Sequence, residues 1–350
     1  MAGFHGLRVR GVGQLCDDAA AVTFDVPPSL KETFAFRAGQ SVTLRRMVDG
    51  VDHRRSYSIC SAVGEPLRIG VREIPDGMFS SWLVRQVRPG DQIEVSPPAG
   101  SWRADPGPGE RHLCIAAGSG ITPMLSVAST VLRHPGAQVS LLYGNRTSRT
   151  VMFAEELADL KNAHGSQVQI VHVLSREPRD VELFSGRLDA ERVRRLLTEL
   201  VPVENFDQIW LCGPLELVES SRKVLASLGV AAGKIHVELF YADAPPPPPL
   251  RACAVPEGAT TELTTVLDGL RSTAVVSRDV AILDGAQATR ADLPFACKGG
   301  VCGTCRAVVR EGEVDMRRNY ALEPAEVEAG FVLTCQSFPV SDGVTVDFDA

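Results

Sequence analysis

Four cysteines near the end of this sequence have the spacing of iron–sulfur ligands. Cys297, Cys302 and Cys305 form a C-x4-C-x2-C array, and Cys335 follows further along the chain. Plant-type [2Fe–2S] clusters take their ligands at this spacing, and thiolates are the soft ligands that iron–sulfur clusters require. The three glycines between the ligands are expected to adopt positive φ angles, so that backbone N–H groups can point at sulfur. The array therefore predicts a [2Fe–2S] cluster.

Two other uses of these cysteines fit the sequence less well. A disulfide framework is typical of short secreted chains, whereas this chain has 350 residues, nine cysteines and no recognisable signal sequence in its first residues. A structural zinc site usually consists of two paired cysteine knuckles, and here the fourth cysteine stands alone.

An R-x-Y-S segment and a G-x-x-S segment have the residue types of a flavin site. The guanidinium fork of Arg55 suits a phosphate, and on a strand Tyr57 shares its face and can pack on a flavin ring. Ser58 can hydrogen-bond the edge of that ring. Gly77 and Ser80 open a short predicted helix, where Ser80 as the cap would complete a phosphate site. Each segment alone also fits an ordinary strand or helix start, but together and in this order they favour a flavin.

A glycine-containing turn between a predicted strand and a predicted helix points to a dinucleotide. Glycine lets a pyrophosphate approach the helix N-terminus, although a generic turn can have the same composition. A C-G-P turn follows another predicted strand, and both turns fall at carboxyl ends of strands, where such sheets bind ligands. Its cysteine also fits an ordinary buried thiol at a strand end. The candidate coenzyme residues are Gly118, Gly120, Thr122, Pro123, Cys212 and Gly213.

Arginines at two strand ends point to a phosphorylated coenzyme. Arg146 follows the second strand predicted in this region, and Ser175 and Arg176 end the third. No acidic residue stands at the tip of the second strand to bind a ribose 2′-hydroxyl, so Arg146 and Arg176 are expected to bind a 2′-phosphate. This favours NADPH, although arginines are also common on ordinary protein surfaces.

The elements that must position these residues begin with a region of short strands. Turns that contain proline and glycine separate them, which is typical of an antiparallel barrel. Strands are predicted at residues 8–13, 20–26, 41–47, 54–60, 67–74 and 91–95, with a helix at residues 79–87.

From residue 112 onward, strands alternate with helices, as in a parallel doubly wound sheet. Strands are predicted at residues 113–119, 138–143, 168–174 and 208–212. Helices are predicted after the glycine turn as far as about residue 132, and at residues 152–161, 189–200 and 215–228.

Five consecutive prolines within residues 244–249 predict a semi-rigid linker. Beyond it, a hairpin at residues 260–268 and 273–276, a helix at 279–288 and strands at 306–310 and 344–348 suit a small sheet that grasps one helix. The predicted domains are a flavin-binding antiparallel β-barrel at residues 1–104, an α/β parallel-sheet nucleotide-binding domain at 105–241, the linker at 242–257, and an α+β β-grasp ferredoxin domain at 258–350.

Composition narrows the class of protein. Hydrophobic residues make up 44% of the chain, and no apolar run is long enough to span a membrane, so a soluble cytoplasmic protein is expected without a membrane partner. The net charge of −7 gives no reason to expect nucleic acid. Most of the acidic excess lies after residue 258, which suits either a basic docking surface on a partner or simple solubility.

Together these residues resemble the ferredoxin–NADP reductase superfamily with a plant-type ferredoxin fused at the C-terminus, from Leu7 almost to the end. The resemblance implies that the R-x-Y-S and G-x-x-S residues contact FAD and that the glycine and C-G-P turns contact the coenzyme. It also implies that Ser175 and Arg176 read the 2′-phosphate. The family covers its flavin with a C-terminal aromatic residue. Phe240 is the match here, with Glu238 nearby, although a ferredoxin domain follows it.

A narrower resemblance rests on the cysteine region, above all on M-R-R-N-Y-A-L at residues 316–322. This region resembles the reductase subunits of multicomponent phenylacetyl-CoA epoxidases of phenylacetate degradation. It implies electron transfer from NADPH through FAD and a [2Fe–2S] cluster to a di-iron oxygenase component, with no acid–base catalytic residue. Two alternatives remain open: an NADH-dependent FMN/[2Fe–2S] reductase of a Rieske-type dioxygenase, and a zinc-binding adaptor without turnover.

Overall fold

The computed structural model describes residues 3–75, 77–100, 102–240 and 258–350. The chain divides into two compact units, residues 2–240 and 241–350. The predicted linker at residues 242–257 lies outside the described residues, and so does Cys253. Among the helices of the described ranges, none is both long enough and apolar enough to cross a membrane.

The first six strands form one antiparallel sheet in the order β4-β3-β6-β1-β2-β5. An isolated antiparallel bridge between Ile59 and Ile69 joins the two edges of this sheet, so it closes as the predicted barrel. The strands are β1 (His5–Cys16), β2 (Ala19–Asp25), β3 (Ser41–Val48), β4 (Val51–Ser58), β5 (Arg68–Arg72) and β6 (Gln92–Val95).

Helix α1 (Met78–Arg85) contributes Phe79 and Leu83 to the apolar core of the barrel. The hairpin between β3 and β4 is tighter than predicted. Asp49 and Gly50 adopt φ angles of 51° and 78°, and a two-residue turn of this kind matches the twist of its flanking strands. Strand β4 therefore begins at Val51, directly after the turn.

The second part of this unit is a parallel sheet, as predicted, and its strand order is β11-β10-β7-β8-β9. Its strands are β7 (Arg111–Ala117), β8 (Gln138–Asn145), β9 (Val168–Leu174), β10 (Gln208–Gly213) and β11 (Ile235–Leu239). Its helices are α2 (Ile121–Val131), α3 (Ala154–His164), α4 (Ala190–Arg195) and α5 (Leu215–Ser227).

One helix and one strand of this second part differ from the prediction. The helix predicted at residues 189–200 is α-helical only as far as Arg195 and continues to Leu200 with a wider turn. The edge strand β11 was not predicted. Four of its five residues are half-buried, so the strand shows no clear alternation of apolar and polar positions.

The C-terminal unit contains a mixed sheet in the order β13-β12-β18-β14-β16 and a separate β15–β17 pair. Helix α6 packs against β12 and β13, which agrees with a sheet that grasps one helix. The three-residue strands and α7 were not predicted because they are too short to show periodicity. The elements are β12 (Thr260–Leu267), β13 (Leu270–Ser277), α6 (Ile282–Gln287), β14 (Arg306–Glu311), β15 (Val314–Met316), α7 (Pro324–Glu328), β16 (Phe331–Leu333), β17 (Ser337–Pro339) and β18 (Gly343–Asp347).

Candidate functional site

The R-x-Y-S segment lies at the end of β4. Arg55 is exposed, and one of its guanidinium nitrogens donates to the Arg54 carbonyl at 2.7 Å, which leaves further N–H donors for a ligand. The ring of Tyr57 lies beside Phe79, with centroids 6.2 Å apart, and burial raises the pKa of its hydroxyl. A charged fork and a packed aromatic ring therefore occupy alternate positions of one strand, as predicted.

The start of α1 differs from the prediction in the part that Ser80 plays. The helix begins at Met78 with Gly77 as its N-cap, and Ser80 lies within the first turn. Its hydroxyl accepts from the Ile74 N–H at 3.0 Å and donates to the Gly77 carbonyl at 3.2 Å. The prediction that Ser80 caps the helix is therefore wrong, because its hydroxyl ties the preceding turn together. The donors that remain at this helix start are backbone N–H groups.

The glycine turn and the C-G-P turn lie directly against each other. A Cβ atom on Gly120 would lie 2.2 Å from the carbonyl oxygen of Cys212, so only glycine fits there. Gly118 has a φ of 56°, and its carbonyl accepts from the Tyr143 hydroxyl at 2.9 Å. The structure thus brings the two predicted coenzyme turns together at the carboxyl edge of the parallel sheet.

Thr122 and Pro123 shape this turn from inside the protein. Thr122 is 1% exposed, and its hydroxyl donates to the Ser119 carbonyl at 3.0 Å. Pro123 is buried in the first turn of α2. Gly70 on β5 also approaches closely, since a Cβ there would meet the Thr122 methyl group at 2.6 Å. The barrel therefore packs against the glycine turn.

A carboxyl group on β11 joins several predicted residues. Glu238 is paired in register with Cys212 of β10, and the Ser58 hydroxyl donates to its carboxyl at 3.4 Å. Burial raises the pKa of Glu238 to about 8 and raises the pKa of the Cys212 thiol well above its ordinary value. Phe240 follows β11 and packs, partly buried, against the hydrophobic core. The sequence indicated Glu238 only as a neighbour of Phe240.

The predicted phosphate-binding residues occupy adjacent strand ends. Backbone N–H groups of Ser175 and Arg176 donate to the carbonyls of Asn145 and Arg146 at 2.9 and 2.8 Å. Arg146 and Arg176 are both exposed. Within the described ranges no carboxylate pairs with Arg176, whereas Arg146 pairs with Asp18 at 2.6 Å. The two arginines and the serine are therefore brought together as expected.

Arg72 on β5 is a further basic residue at this edge that sequence reasoning missed. Its Nη1 would lie 3.8 Å from a Cβ on Gly118, so its guanidinium faces the glycine turn. Its Nη2 donates to the Thr150 carbonyl at 2.5 Å, and its buried Nε lies 3.7 Å from the Asp18 carboxylate, too far for a hydrogen bond. Its Nη1, on the side of the glycine turn, suits an anion bound there. The available signal was an arginine near the end of the strand predicted at residues 67–74.

The four predicted cluster ligands come together as free thiols. The thiol of Cys297 lies close to that of Cys302, and the thiol of Cys305 lies close to that of Cys335. These contacts, together with backbone N–H groups, lower the pKa of Cys297 and Cys335. Among the described residues, no three cysteine, histidine or acidic side chains surround one point as ligands of a single metal ion do. Four neighbouring cysteine thiols suit the four-cysteine ligation of a [2Fe–2S] cluster.

The loop between these ligands curves through positive φ angles at three residues. Lys298, Gly300 and Gly303 adopt φ values of 51°, 80° and 65°, whereas Gly299 does not. The prediction is therefore right for two of the three glycines, and Lys298 takes the left-handed position instead. The N–H of Gly299 donates to the Cys297 sulfur at 3.3 Å, which agrees with the expected N–H to sulfur contacts.

Neighbouring segments hold the cysteine loop by hydrogen bonds to its carbonyls. The Gln336 amide donates to the Lys298 carbonyl and the Thr334 hydroxyl to the Cys305 carbonyl, both at 2.8 Å. The Tyr320 N–H donates to the Gly300 carbonyl at 3.0 Å. Tyr320 belongs to the M-R-R-N-Y-A-L segment, so the segment of the narrower resemblance contacts the loop itself.

Three family descriptions match successive parts of the chain. Residues 7–104 match the oxidoreductase FAD-binding domain, residues 114–223 match the oxidoreductase NAD-binding domain, and residues 265–340 match the 2Fe-2S iron-sulfur cluster binding domain. Matches to both a flavin and a nicotinamide domain do not fit the alternative of a non-catalytic zinc adaptor.

Two curated relatives match over essentially their whole length. The chain is 39% identical over 355 residues to one of the subunits of 1,2-phenylacetyl-CoA epoxidase of Escherichia coli (strain K12), with 100% of this chain and 99% of the relative covered. It is 31% identical over 352 residues to the ferredoxin reductase component of 3-ketosteroid-9-alpha-monooxygenase of Rhodococcus rhodochrous, with 98% and 96% covered.

A solved structure shows the same fold. Phthalate dioxygenase reductase, described as a modular structure for electron transfer from pyridine nucleotides to [2Fe-2S], matches with a TM-score of 0.62 and 22% identity. The match covers 99% of this chain and 98% of that chain. The predicted fold class, with an antiparallel flavin domain, a parallel-sheet nucleotide domain and a C-terminal ferredoxin domain, is confirmed.

Proposed function

We propose a coenzyme, a flavin site and an oxygenase partner for this chain, which belongs to the family of oxygenase reductases with FAD-binding, NAD-binding and 2Fe-2S domains. When bound, NADPH supplies a hydride, FAD accepts it, and a [2Fe–2S] cluster passes single electrons to the oxygenase. The residues of this chain bind and orient those groups, and one of them, Glu238, is proposed to hold a proton beside the nicotinamide. The observation that carries the proposal is the close approach of Gly120 to Cys212. It brings the glycine turn and the C-G-P turn together at the carboxyl edge of the parallel sheet.

The proposed flavin site combines side chains of β4 with the start of α1. Arg55 donates to the phosphates, Tyr57 packs on the ring, and Ser58 hydrogen-bonds its edge. Backbone N–H groups after Gly77 add donors, with Ser80 fixing the turn beneath them. The exposure of Arg55 and the packing of Tyr57 on Phe79 support this division of roles. Phe240, at the end of β11, is the proposed aromatic cover.

Glu238 is proposed to hold a proton beside the nicotinamide site. With a pKa raised to about 8 by burial, its carboxyl is mostly protonated at neutral pH. A neutral carboxyl between Ser58 and Cys212 places no negative charge where a hydride must pass. Its position across from Cys212 supports this role.

NADPH is the proposed coenzyme because two arginines meet at the ends of β8 and β9. Arg146, Ser175 and Arg176 are proposed to bind the 2′-phosphate, and Arg72 the pyrophosphate above Gly118. The backbone bonds that join the two strand ends support a single site for the first three residues. The exposed Arg176, which pairs with no carboxylate of the described residues, is the sharpest test of it.

Substituting Arg176→Ala should lower kcat/KM for NADPH by roughly 10- to 150-fold, since a hydrogen bond to a charged group contributes about 1.5–3 kcal/mol. The value for NADH should change little, because NADH lacks the phosphate. Ferricyanide reduction with each coenzyme measures both without an oxygenase. Arg179→Ala, an exposed arginine on the same loop, serves as the control. Equal losses for both coenzymes, or a wild-type preference for NADH, would contradict the assignment.

The proposed partner is the oxygenase component of a multicomponent epoxidase that acts on an aromatic CoA thioester, phenylacetyl-CoA. Identity of 39% along the whole chain to the Escherichia coli phenylacetyl-CoA epoxidase component supports it. The contact of Tyr320 with the cysteine loop also supports it, because residues 316–322 carry the narrower resemblance. A cytoplasmic location follows from this partner and from the reduced thiols the cluster needs.

The alternative is an NADH-dependent FMN reductase that serves a Rieske-type dioxygenase. It is retained because a dioxygenase reductase, phthalate dioxygenase reductase, has the same fold. Identification of the flavin released by denaturation separates FAD from FMN. Product formation from phenylacetyl-CoA, with the epoxidase oxygenase component reconstituted with this reductase, separates the partners. Transfer of electrons only to a Rieske oxygenase would reject the epoxidase.

A further inference from the structure

Asp18, in the turn between β1 and β2, contacts Arg146 and Arg72, two of the arginines proposed to bind the coenzyme. Its carboxylate lies 2.6 Å from Nη2 of Arg146 and 3.7 Å from Nε of Arg72. The Cys16 thiol donates to the same carboxylate at 3.2 Å. The side chain of Asp18 is 27% exposed, so water screens these contacts only in part.

The position of this carboxylate conflicts with an anionic ligand. A coenzyme phosphate that binds Arg146 must either displace Asp18 or bind beside its negative charge. Both cost free energy, because like charges repel and the existing ion pair must be broken. Arg176 has no such competitor among the described residues. Two arginines at adjacent strand ends therefore differ in how freely they can receive a phosphate.

We propose that Asp18 is a specificity-determining residue that competes with the 2′-phosphate of the coenzyme for Arg146. This inference rests on the proposed role of Arg146 in the NADPH site. Asp18 weakens binding of the phosphorylated coenzyme and so narrows the preference of the enzyme for it. Its removal should strengthen that preference.

A simpler role for Asp18 would be to fasten the barrel to the loop after β8, and the neighbouring residue controls for it. Asp17, in the same turn, pairs with Arg149 of the same loop at 3.4 Å. The side chains of both are highly exposed, at 77% and 81%. Asp17→Asn removes a carboxylate that joins the same two segments but, among the described residues, makes no hydrogen bond or ion pair with Arg146 or Arg72.

The test measures competitive inhibition of the flavin-loaded full chain by adenosine 2′,5′-bisphosphate and by 5′-AMP, which lacks the 2′-phosphate. Asp18→Asn should lower the inhibition constant of the bisphosphate about three- to tenfold, the range of one partly exposed ion pair. The constant for 5′-AMP should change less, and Asp17→Asn should change neither. The gain should shrink as KCl is raised, since it is electrostatic.

A double-mutant cycle with Arg146→Gln shows whether the effect passes through Arg146. In the Arg146→Gln background, Asp18→Asn should no longer strengthen bisphosphate binding. Unchanged or weaker bisphosphate binding in Asp18→Asn, or an equal gain for both inhibitors, would overturn the inference. Thermal unfolding of each variant identifies any loss that comes from misfolding.

If the proposal that NADPH is the coenzyme is wrong, the inhibition constants differ from those expected if only the proposal about Asp18 is wrong. A wild-type protein that binds the bisphosphate no better than 5′-AMP refutes the NADPH preference. If Asp18→Asn then creates such a preference, the competition by Asp18 stands, and if it does not, both proposals fall.

Discussion

Arg54 and Arg55 are neighbours on β4, yet only the second of these two is exposed to a ligand. Arg54 is 5% exposed and pairs with Asp52 at 2.8 Å, while its guanidinium lies over the ring of Phe4. Arg55 is exposed. Alternation along a strand decides which of two identical side chains can meet a phosphate. The R-x-Y-S pattern predicted that Arg55 and Tyr57 share one face of a strand, and they occupy alternate positions of β4.

Substituting Arg55→Ala should weaken flavin binding by roughly 10- to 150-fold, because it removes a charged donor worth about 1.5–3 kcal/mol. Flavin occupancy at limiting flavin, read from absorbance, measures the loss. Arg10→Ala is the matched control, since Arg10 is an exposed barrel arginine whose ion pair with Asp25 is long, at 4.0 Å. Unchanged occupancy in the Arg55 variant would refute the assignment.

Glu238 should make the stability of the protein depend on pH. Its pKa is raised to about 8 in the folded chain and is near 4.5 when unfolded, so the folded state holds the extra proton between these values. The contribution of Glu238 to the free energy of unfolding should therefore fall as pH rises from 5 to 8, by about 3 kcal/mol. In Glu238→Gln, whose side chain stays neutral, this decrease in the free energy of unfolding should be absent.

Urea unfolding of the flavin-loaded protein at pH 5 and pH 8 measures this dependence. Glu204→Gln, at an exposed position, provides the control and should behave as wild type. An identical pH dependence in wild type and Glu238→Gln would show that the carboxyl is not held neutral.

The glycine turn before α2 shows how a short motif can position an entire site. Gly120 lies so close to the Cys212 carbonyl that the two turns can pack this tightly only with glycine at position 120. The sequence predicted both turns from their residue types. It could not predict that they touch, because that contact depends on the pairing of β7 with β10.

Gly120→Ala should destabilise the protein by about 1–3 kcal/mol, because a new Cβ has no space against a backbone carbonyl. It should also lower kcat/KM for both coenzymes, since both use the turn. Gly13→Ala is the matched control, because a Cβ there meets nothing within 4 Å. Urea unfolding and ferricyanide reduction measure the two effects. A Gly120 variant as stable and as active as the Gly13 variant would refute the close approach.

Elements with a clear period were predicted well, and those without one were missed. Strand β9 (Val168–Leu174) has the bounds that were predicted. Strand β11, which carries Glu238, is a half-buried edge strand without alternation. Arg72 was missed for another reason, since its importance depends on the barrel packing against the glycine turn. Ser80 was assigned as a cap because its type suits one, although the helix begins two residues earlier.

Across the whole chain, the order of motifs predicted the class of protein better than any single motif did. The cysteine array, the R-x-Y-S strand and the glycine turn each allow an ordinary interpretation, but their combination matches three adjoining domain families. The predicted boundary between the first two domains, at residues 104 and 105, lies within one compact unit, and the Arg68–Glu156 ion pair at 2.7 Å joins β5 to α3 inside it. The two parts form one contact unit.

Anaerobic titration with NADPH, followed by absorbance and EPR, tests most directly whether this chain carries electrons from NADPH through FAD to a [2Fe–2S] cluster. In wild type, NADPH should bleach the flavin and produce the EPR signal of a reduced [2Fe–2S] cluster. Adding the epoxidase oxygenase component should reoxidise the cluster and remove that signal. Cys302→Ser should keep its flavin and lose the EPR signal, while Cys16→Ser, outside the array, should retain both. A wild-type protein without an iron–sulfur EPR signal after full flavin reduction, or a Cys302→Ser protein with full iron content, would contradict the account.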